Sequence, residues 1–261
     1  MINKLIKAEN KIIELENKIL ALEEVNHKLK KTNHLKNEFV SLATHQIRGP
    51  LAAIKGYISL ILEGDYGNVS EKFIEPLTIV LNSADSLNKT VNDFLDVSRI
   101  EQGEMKYYMK DFNVVDLVNE VVSEMKNSIK NNNLELRLNI VSDSIIVHDD
   151  KIKMKQILMN LIDNANKYTK NGWIEIGLHK KNEHRVVFCV KDSGLGIDKK
   201  TLPLLFRKFS RAKEMGHSGI HGTGLGLYVA KKMMQAQRGQ IWAESKGVGK
   251  GSEFYVEVPC L

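Results

Sequence analysis

From the N-terminus to Ile61, apolar residues recur at alternating intervals of three and four, a repeat that constrains this chain more tightly than any other. One heptad frame puts Leu5, Ile12, Ile19, Val40, Ile47, Ile54 and Ile61 at position a, and Ala8, Leu15, Leu22, Leu29, Ala43 and Tyr57 at position d. Asn26 and Asn33 also fall at a, and Lys36 and Pro50 at d. A single helix cannot bury so narrow a stripe within itself, so the pattern asks for a partner helix. Asn at a selects a defined register at some cost in stability. The expectation is a parallel homodimeric coiled coil, weighed against a lone helix packed on its own domain.

Glu63 to Ser70 carries the Gly, Asp and Asn of a loop, and Ser70 followed by Glu71 suits a helix start. A second helix follows, with Phe73, Leu77, Val80, Ala84, Leu87, Val91 and Phe94 as its stripe, and stops at Gln102-Gly103, where Gly suits the position just past a helix end. Two such hairpins joined by the coiled coil would close a four-helix bundle. Beyond Met105 the pattern turns mixed. Strand-like runs at Leu134 to Ile140, Trp173 to His179, Arg185 to Val190, Gln240 to Ala243 and Glu253 to Val258 alternate with amphipathic segments near Val114 to Ile129, Ile152 to Tyr168 and Leu225 to Gln235. The fold class expected is therefore multidomain: a coiled-coil helix over residues 1–34, a helical hairpin over 35–102 and an α+β domain over 103–261.

Composition narrows the function. No apolar run approaches a membrane span, the longest strong one, Val186 to Val190, covering five residues. The first residues lack the apolar core of a secretory signal, so a cytoplasmic location is expected, with tethering to a membrane sensor outside this chain left open. Cys189 and Cys260 are too few for a disulfide framework or a metal cluster. The net charge of +6 is spread without a block of like charges and without interleaved aromatics, so no nucleic-acid partner is expected.

Glycine clusters carry the chemistry. Asp192-Ser-Gly-Leu-Gly-Ile197 follows a predicted strand, and Gly222-Thr-Gly-Leu-Gly-Leu227 opens a predicted helix. Glycines at a helix mouth let the backbone approach a phosphate, which the unpaired N–H groups and the positive helix end then hold. The spacing is neither the dinucleotide fingerprint nor a P-loop. Asn160-Leu-Ile-Asp-Asn164-Ala-Asn-Lys167-Tyr168 places Asn160, Asn164 and Lys167 or Tyr168 along one helical face. An Asn oxygen there suits Mg²⁺, which takes oxygen ligands.

These segments resemble the N, G1, F and G2 boxes of the Bergerat ATP-binding fold, shared by gyrase, mismatch-repair ATPases and sensor histidine kinases. The resemblance spans nearly all of residues 104–258 and implies an ATP-binding sandwich with ATP and Mg²⁺ as cofactors. It implies that Asn164 ligates Mg²⁺ while Asn160, Lys167 and Tyr168 line the nucleotide site. Asp192 would accept a hydrogen bond from the adenine amino group in a pocket shaped by Gly194, Gly196 and Ile197. A lid starting at Phe206-Arg-Lys-Phe209 would reach Gly222, with Thr223, Gly224, Leu225, Gly226 and Leu227 over the phosphates. Gly249-Lys-Gly-Ser252-Glu-Phe254 resembles the last glycine box.

The helical part extends the resemblance. Phe39-Val-Ser-Leu-Ala-Thr-His45-Gln-Ile-Arg48-Gly-Pro50-Leu is similar to the H box of histidine kinases, which implies His45 as the phosphoacceptor. Independently, the heptad frame puts His45 at f, away from the seam, where a neutral imidazole is a competent nucleophile. Pro50 removes the donor for the Gln46 carbonyl, and a kink is expected there. Gln46 stands where the family usually has Glu or Asp; it can orient the ring but adds no charge. Gly49 stands where the family usually has Thr or Asn to position a dephosphorylating water. The resemblance as a whole implies autophosphorylation of His45, transfer to an Asp of a response-regulator receiver domain, and an upstream sensor domain or protein. The alternative is an ATP-responsive pseudokinase that docks a regulator without phosphorylating it.

Overall fold

The computed structural model describes residues 2–210 and 223–261; the side chains of residues 2–10, 34, 36, 37, 39, 41 and 45 lie outside the description. The chain divides into two compact units, Met1–Ser98 and Arg99–Leu261.

In the first unit, helix α1 (Ile2–Glu63) and helix α2 (Glu71–Gln102) form an antiparallel hairpin. Both end in the same hydrogen-bonded turn. Gly64 N and Asp65 N donate to Ile61 O and Leu60 O, and Gly103 N and Glu104 N donate to Ile100 O and Arg99 O. This is the Schellman arrangement, which satisfies carbonyls the helix itself leaves open. Pro50 withholds one helical hydrogen bond, yet the helix runs on through it to Glu63. Arg48 Nη2 donates to Asn92 Oδ1 at 2.7 Å and Lys55 Nζ to Asp85 Oδ1 at 2.7 Å, pairing the two helices.

Among the described residues, α1 buries Thr44, Leu51 and Ile58, which share position e of the heptad frame, while the apolar residues that α2 buries are Ala84, Val91 and Val97. Positions a and d stay open: Ile47, Ile54 and Tyr57 are exposed within the single chain, as are Ile12, Leu15, Ile19, Leu22 and Leu29 along the N-terminal half of α1. The predicted stripe of α2 also splits in two. Ala84 and Val91 pack inside the hairpin, whereas Phe73, Val80, Leu87 and Phe94, seven residues apart, remain 41% to 52% exposed. The hairpin thus closes on one stripe and leaves a second apolar stripe on each helix uncovered.

The second unit is a helical layer on a sheet. Strand β1 (Lys110–Asn113) pairs antiparallel with β3 (Ile146–Asp149) in a two-stranded ribbon. Strands β2 (Leu134–Ile140), β4 (Gly172–Asn182), β5 (Arg185–Asp192), β6 (Gln240–Glu244) and β7 (Ser252–Pro259) form a sheet in the order β2-β4-β5-β7-β6, with only β2 and β4 parallel. Helices α3 (Val114–Asn131), α4 (Lys151–Tyr168) and α5 (Gly226–Ala236) pack on it. Alternation along the strands decides which face is covered: Ile174, Ile176 and Leu178 of β4, Val186, Phe188 and Val190 of β5, and Phe254, Val256 and Val258 of β7 are all buried. They meet Leu117, Val118 and Val121 of α3, Ile157, Leu158 and Leu161 of α4, and Val229 and Met233 of α5, which recur at helical spacing. Each such side chain contributes about 1.5–3 kcal/mol when withdrawn from water.

Two caps fix the helices that matter for the site. Asn113 Oδ1 accepts from Val115 N at the start of α3, and Asp150 Oδ1 accepts from Ile152 N and Lys153 N at the start of α4. Among the described residues, no helix is long and apolar enough to cross a membrane.

Candidate functional site

The C-terminal half of α4 carries the amide residues. Asn160 and Asn164, four apart and half-buried, share one side of the helix, and Lys167 Nζ reaches back to Asp163 Oδ2 at 2.8 Å. Tyr168 closes the helix with its ring partly in solvent. The Asn160 Nδ2 atom is buried and finds no hydrogen-bond partner among the described residues. An unmet donor of this kind costs about 1–3 kcal/mol unless something satisfies it.

The start of α5 comes up against the same side chain. A Cβ placed on Gly226 would stand 2.6 Å from Asn160 Oδ1 and 3.0 Å from its Nδ2, so only glycine lets the helix mouth reach Asn160. Leu225, the residue before the helix, is fully buried, and among the described residues no side chain caps the first turn. With respect to those residues, the opening N–H groups of α5 are open to an anion. Leu227 is half-buried in that turn, and Thr223 Oγ1 accepts from Leu225 N at 3.1 Å. Gly224 packs against the backbone of Phe209 and Ser210, and the Phe209 ring is exposed. Gly222 lies outside the described residues.

A second cluster forms where β5 ends. Asp192 sits opposite Ile174 of β4 and Ser252 of β7 and is 5% exposed. Its Oδ1 accepts from Gly194 N at 2.8 Å and from Ser252 N at 3.3 Å, and its Oδ2 accepts from the Ser252 hydroxyl. Burial pushes the carboxyl up from the usual carboxylate range, and the donors from Ser252 and Gly194 pull it back. The loop after Asp192 is stitched to the loop before β7: Gly249 N donates to Leu195 O at 2.6 Å, and Ile197 N to Ser245 Oγ at 3.0 Å. Gly196 holds φ +66°, and a Cβ there would meet Gly247 O at 2.1 Å, so this crossing admits glycine alone. Ile197 is half-buried beside it.

The structure therefore brings Asn160 together with Gly226, and Asp192 together with Gly194 and Ser252. His45, Gln46 and Arg48 belong to α1 in the other unit. Gln46 is exposed, Arg48 is bonded to Asn92, and the side chain of His45 lies outside the described residues. Sequence reasoning missed Ser245 and Thr169. Ser245 acts through loop hydrogen bonds that leave no periodic trace, and Thr169, following the helical motif, reads as a helix end.

Chemically, the second unit offers a helix mouth beside the unpaired Asn160 amide, which fits a polyphosphate, and a buried carboxylate acceptor, which fits an exocyclic amino group. Among the described residues no three His, Cys, Asp or Glu side chains cluster to hold a metal ion. A divalent cation here would combine an Asn oxygen with phosphate oxygens and water, the set Mg²⁺ favours.

Comparison with known proteins follows the same division. The family described as histidine kinase-, DNA gyrase B- and HSP90-like ATPase matches residues 149–261, and the His Kinase A (phospho-acceptor) domain matches residues 35–103. The autoinducer 2 sensor kinase/phosphatase LuxQ of Vibrio vulnificus is 32% identical over 228 residues, covering 85% of this chain and 26% of LuxQ. The sensor histidine kinase WalK of Bacillus subtilis is 30% identical over 228 residues, covering 86% of this chain and 36% of WalK. The chain thus spans about a quarter to a third of the length of these relatives. Among solved structures, full-length ShkA in complex with AMPPNP has a TM-score of 0.68 at 24% identity over 85% of this chain and 46% of that one. The catalytic domain of the histidine kinase ThkA has a TM-score of 0.51 at 29% identity, covering 59% of this chain and 98% of that one.

Proposed function

The chain belongs to the histidine-kinase family, and from that premise we propose that it is the catalytic core of a sensor kinase, which phosphorylates His45 from ATP and passes the phosphoryl group to an aspartate of a response-regulator receiver domain. The ATPase-type domain at 149–261 supports ATP binding. The observation that carries the proposal is that one unit holds both a buried carboxylate acceptor, Asp192, and a helix mouth, that of α5, beside the unmet Asn160 amide. One site takes an amino-purine, the other its phosphates.

In this reading Asp192 accepts from the adenine amino group, and Gly194, Gly196, Ile197 and Ser252 shape the pocket around the base. Asn160, Lys167, Tyr168 and Phe209 line the nucleotide, while Gly222, Thr223, Gly224, Leu225, Gly226 and Leu227 enclose the phosphates. Asn164 holds Mg²⁺. When bound, the cation neutralises phosphate charge and makes the γ-phosphorus easier to attack. The neutral imidazole of His45 attacks that phosphorus; the N–P bond forms as the bond to the bridging oxygen breaks, and ADP leaves with the electron pair. Gln46 orients the imidazole and takes no charge, and Arg48 stays near the reacting face one turn further along α1.

The uncovered stripes of α1 and α2 support a homodimer. Ile47, Ile54, Tyr57, Phe73, Val80, Leu87 and Phe94 leave the hairpin apolar on its outside, and a second hairpin would cover them in a four-helix bundle continued by the coiled coil. The test is Asp192→Asn, which replaces the acceptor by a group that also donates: binding of ATP and labelling of His45 should both be lost. Undiminished labelling would remove Asp192 from the site.

A further inference from the structure

Thr169 follows the last residue of α4 and is 2% exposed. Its N–H is satisfied by Ala165 O at 3.1 Å, so the helix end accounts for its main chain. Its hydroxyl is less well served. Oγ1 is buried without a hydrogen-bond partner of adequate geometry among the described residues, where valine would fill the same volume at no polar cost. The hydroxyl is not remote from the site. The point where a Cβ on Gly194 would begin lies 2.7 Å from Thr169 Oγ1 and 2.8 Å from Asp192 Oδ1, so the two oxygens flank the bare Cα of Gly194 from opposite elements. Even imperfectly aligned, the hydroxyl helps hold the Asp192 carboxyl down against its burial.

We propose that Thr169 is a positioning residue for nucleobase recognition: its hydroxyl donates to Asp192 when a base occupies the pocket and fixes the carboxylate as a hydrogen-bond acceptor. The inference rests on the reading of Asp192 given above. Gly194 N and Ser252 N already converge on Oδ1 from two sides, and a donor from the residue just past α4 adds a third, which stops the carboxylate from turning. Oδ2, held by the Ser252 hydroxyl, keeps a free lone pair for the base. A carboxylate so fixed accepts from a 6-amino purine and repels a 6-oxo purine. The surroundings add no competing charge: β4 and β7 present Ile174 and Ser252, Lys191 is directed to the other sheet face with Glu175 and Glu253, and Lys167 of α4 is paired with Asp163.

Calorimetric titration of the 261-residue chain with ATP and with ITP, each with Mg²⁺, tests this. Thr169→Val should weaken ATP binding by about tenfold and change ITP binding by less than about twofold, because only the amino group uses the oriented acceptor. Thr169→Ala, which removes the hydroxyl without adding bulk beside Asp192, should behave the same way, and Thr169→Ser should retain the preference of the parent chain. Equal weakening of both nucleotides in the Val and Ala variants, or none, would overturn the proposal. Failure of the unmodified chain to bind either nucleotide would instead overturn the underlying reading of Asp192.

Discussion

The Cα of Gly226 stands against the amide of Asn160, close enough that a single methyl on it would fall 2.6 Å from Oδ1. This contact joins α5 to α4 at the place where both are otherwise unsatisfied. Gly226→Ala should push Asn160 off the helix mouth and lower ATP affinity by at least about tenfold, while the domain stays folded. Nucleotide titration beside a thermal melt checks this. Unchanged affinity would mean that the approach of α5 to Asn160 is not used.

Gln46 is exposed on α1, one residue from the proposed phosphoacceptor. A carboxylate at this position would stabilise the developing imidazolium, which an amide cannot do. Gln46→Glu should therefore speed autophosphorylation by about tenfold, read as the initial rate of label incorporation. Equal rates in the two proteins would show that charge beside His45 is not limiting.

Gly49 offers room as well as a missing side chain: a Cβ built there meets no atom within 4 Å. A hydroxyl or amide could be added without moving a neighbour. The parent chain should remove phosphate from its response regulator slowly, and Gly49→Thr or Gly49→Asn should accelerate the ADP-stimulated loss of partner phosphate. Rapid loss with the unmodified chain would contradict the inference drawn from Gly49.

Asp149 is buried at the junction of β3 and α4, and burial raises its carboxyl to about 7, against the hydrogen bond from the Asp150 N–H that pulls it down. In the unfolded chain the same group titrates near 3.8. The folded state therefore binds the proton more tightly, and the contribution of Asp149 to stability is present at low pH and declines as pH rises toward the folded value. Its Oδ1 accepts from Asp150 N, a role an amide oxygen also fills. Asp149→Asn should be close to neutral at pH 4 and should stabilise the domain by on the order of 1–4 kcal/mol at pH 8. Urea unfolding of both proteins at the two pH values decides it; a stability difference independent of pH would place the charge elsewhere.

The residues differ in how plainly they could be read from sequence. Sheet strands β2, β4, β5, β6 and β7 were legible because Ile, Val and Phe alternate or run together over the length a covered strand needs. Strands β1 and β3 were not, since four residues such as Lys110-Asp-Phe-Asn113 are too short to establish a period. The heptad frame marked α1 as a helix in need of a partner, but not that position e, through Thr44, Leu51 and Ile58, would close the hairpin; Thr44 carries no apolar signature. At the site, Asp192, Gly194 and Gly226 stood out because glycine spacing announces a close backbone approach. Thr169 did not, because an unmet hydroxyl exists only once the surrounding chain has buried it.

The central claim is that ATP bound in the second unit phosphorylates His45. Incubating the purified chain with γ-labelled ATP and Mg²⁺, beside a His45→Ala control, tests it most directly. The account predicts label that is lost in acid, survives alkali and is absent from the control. Label of the same lability in His45→Ala, or no label on a chain that binds ATP, would contradict it.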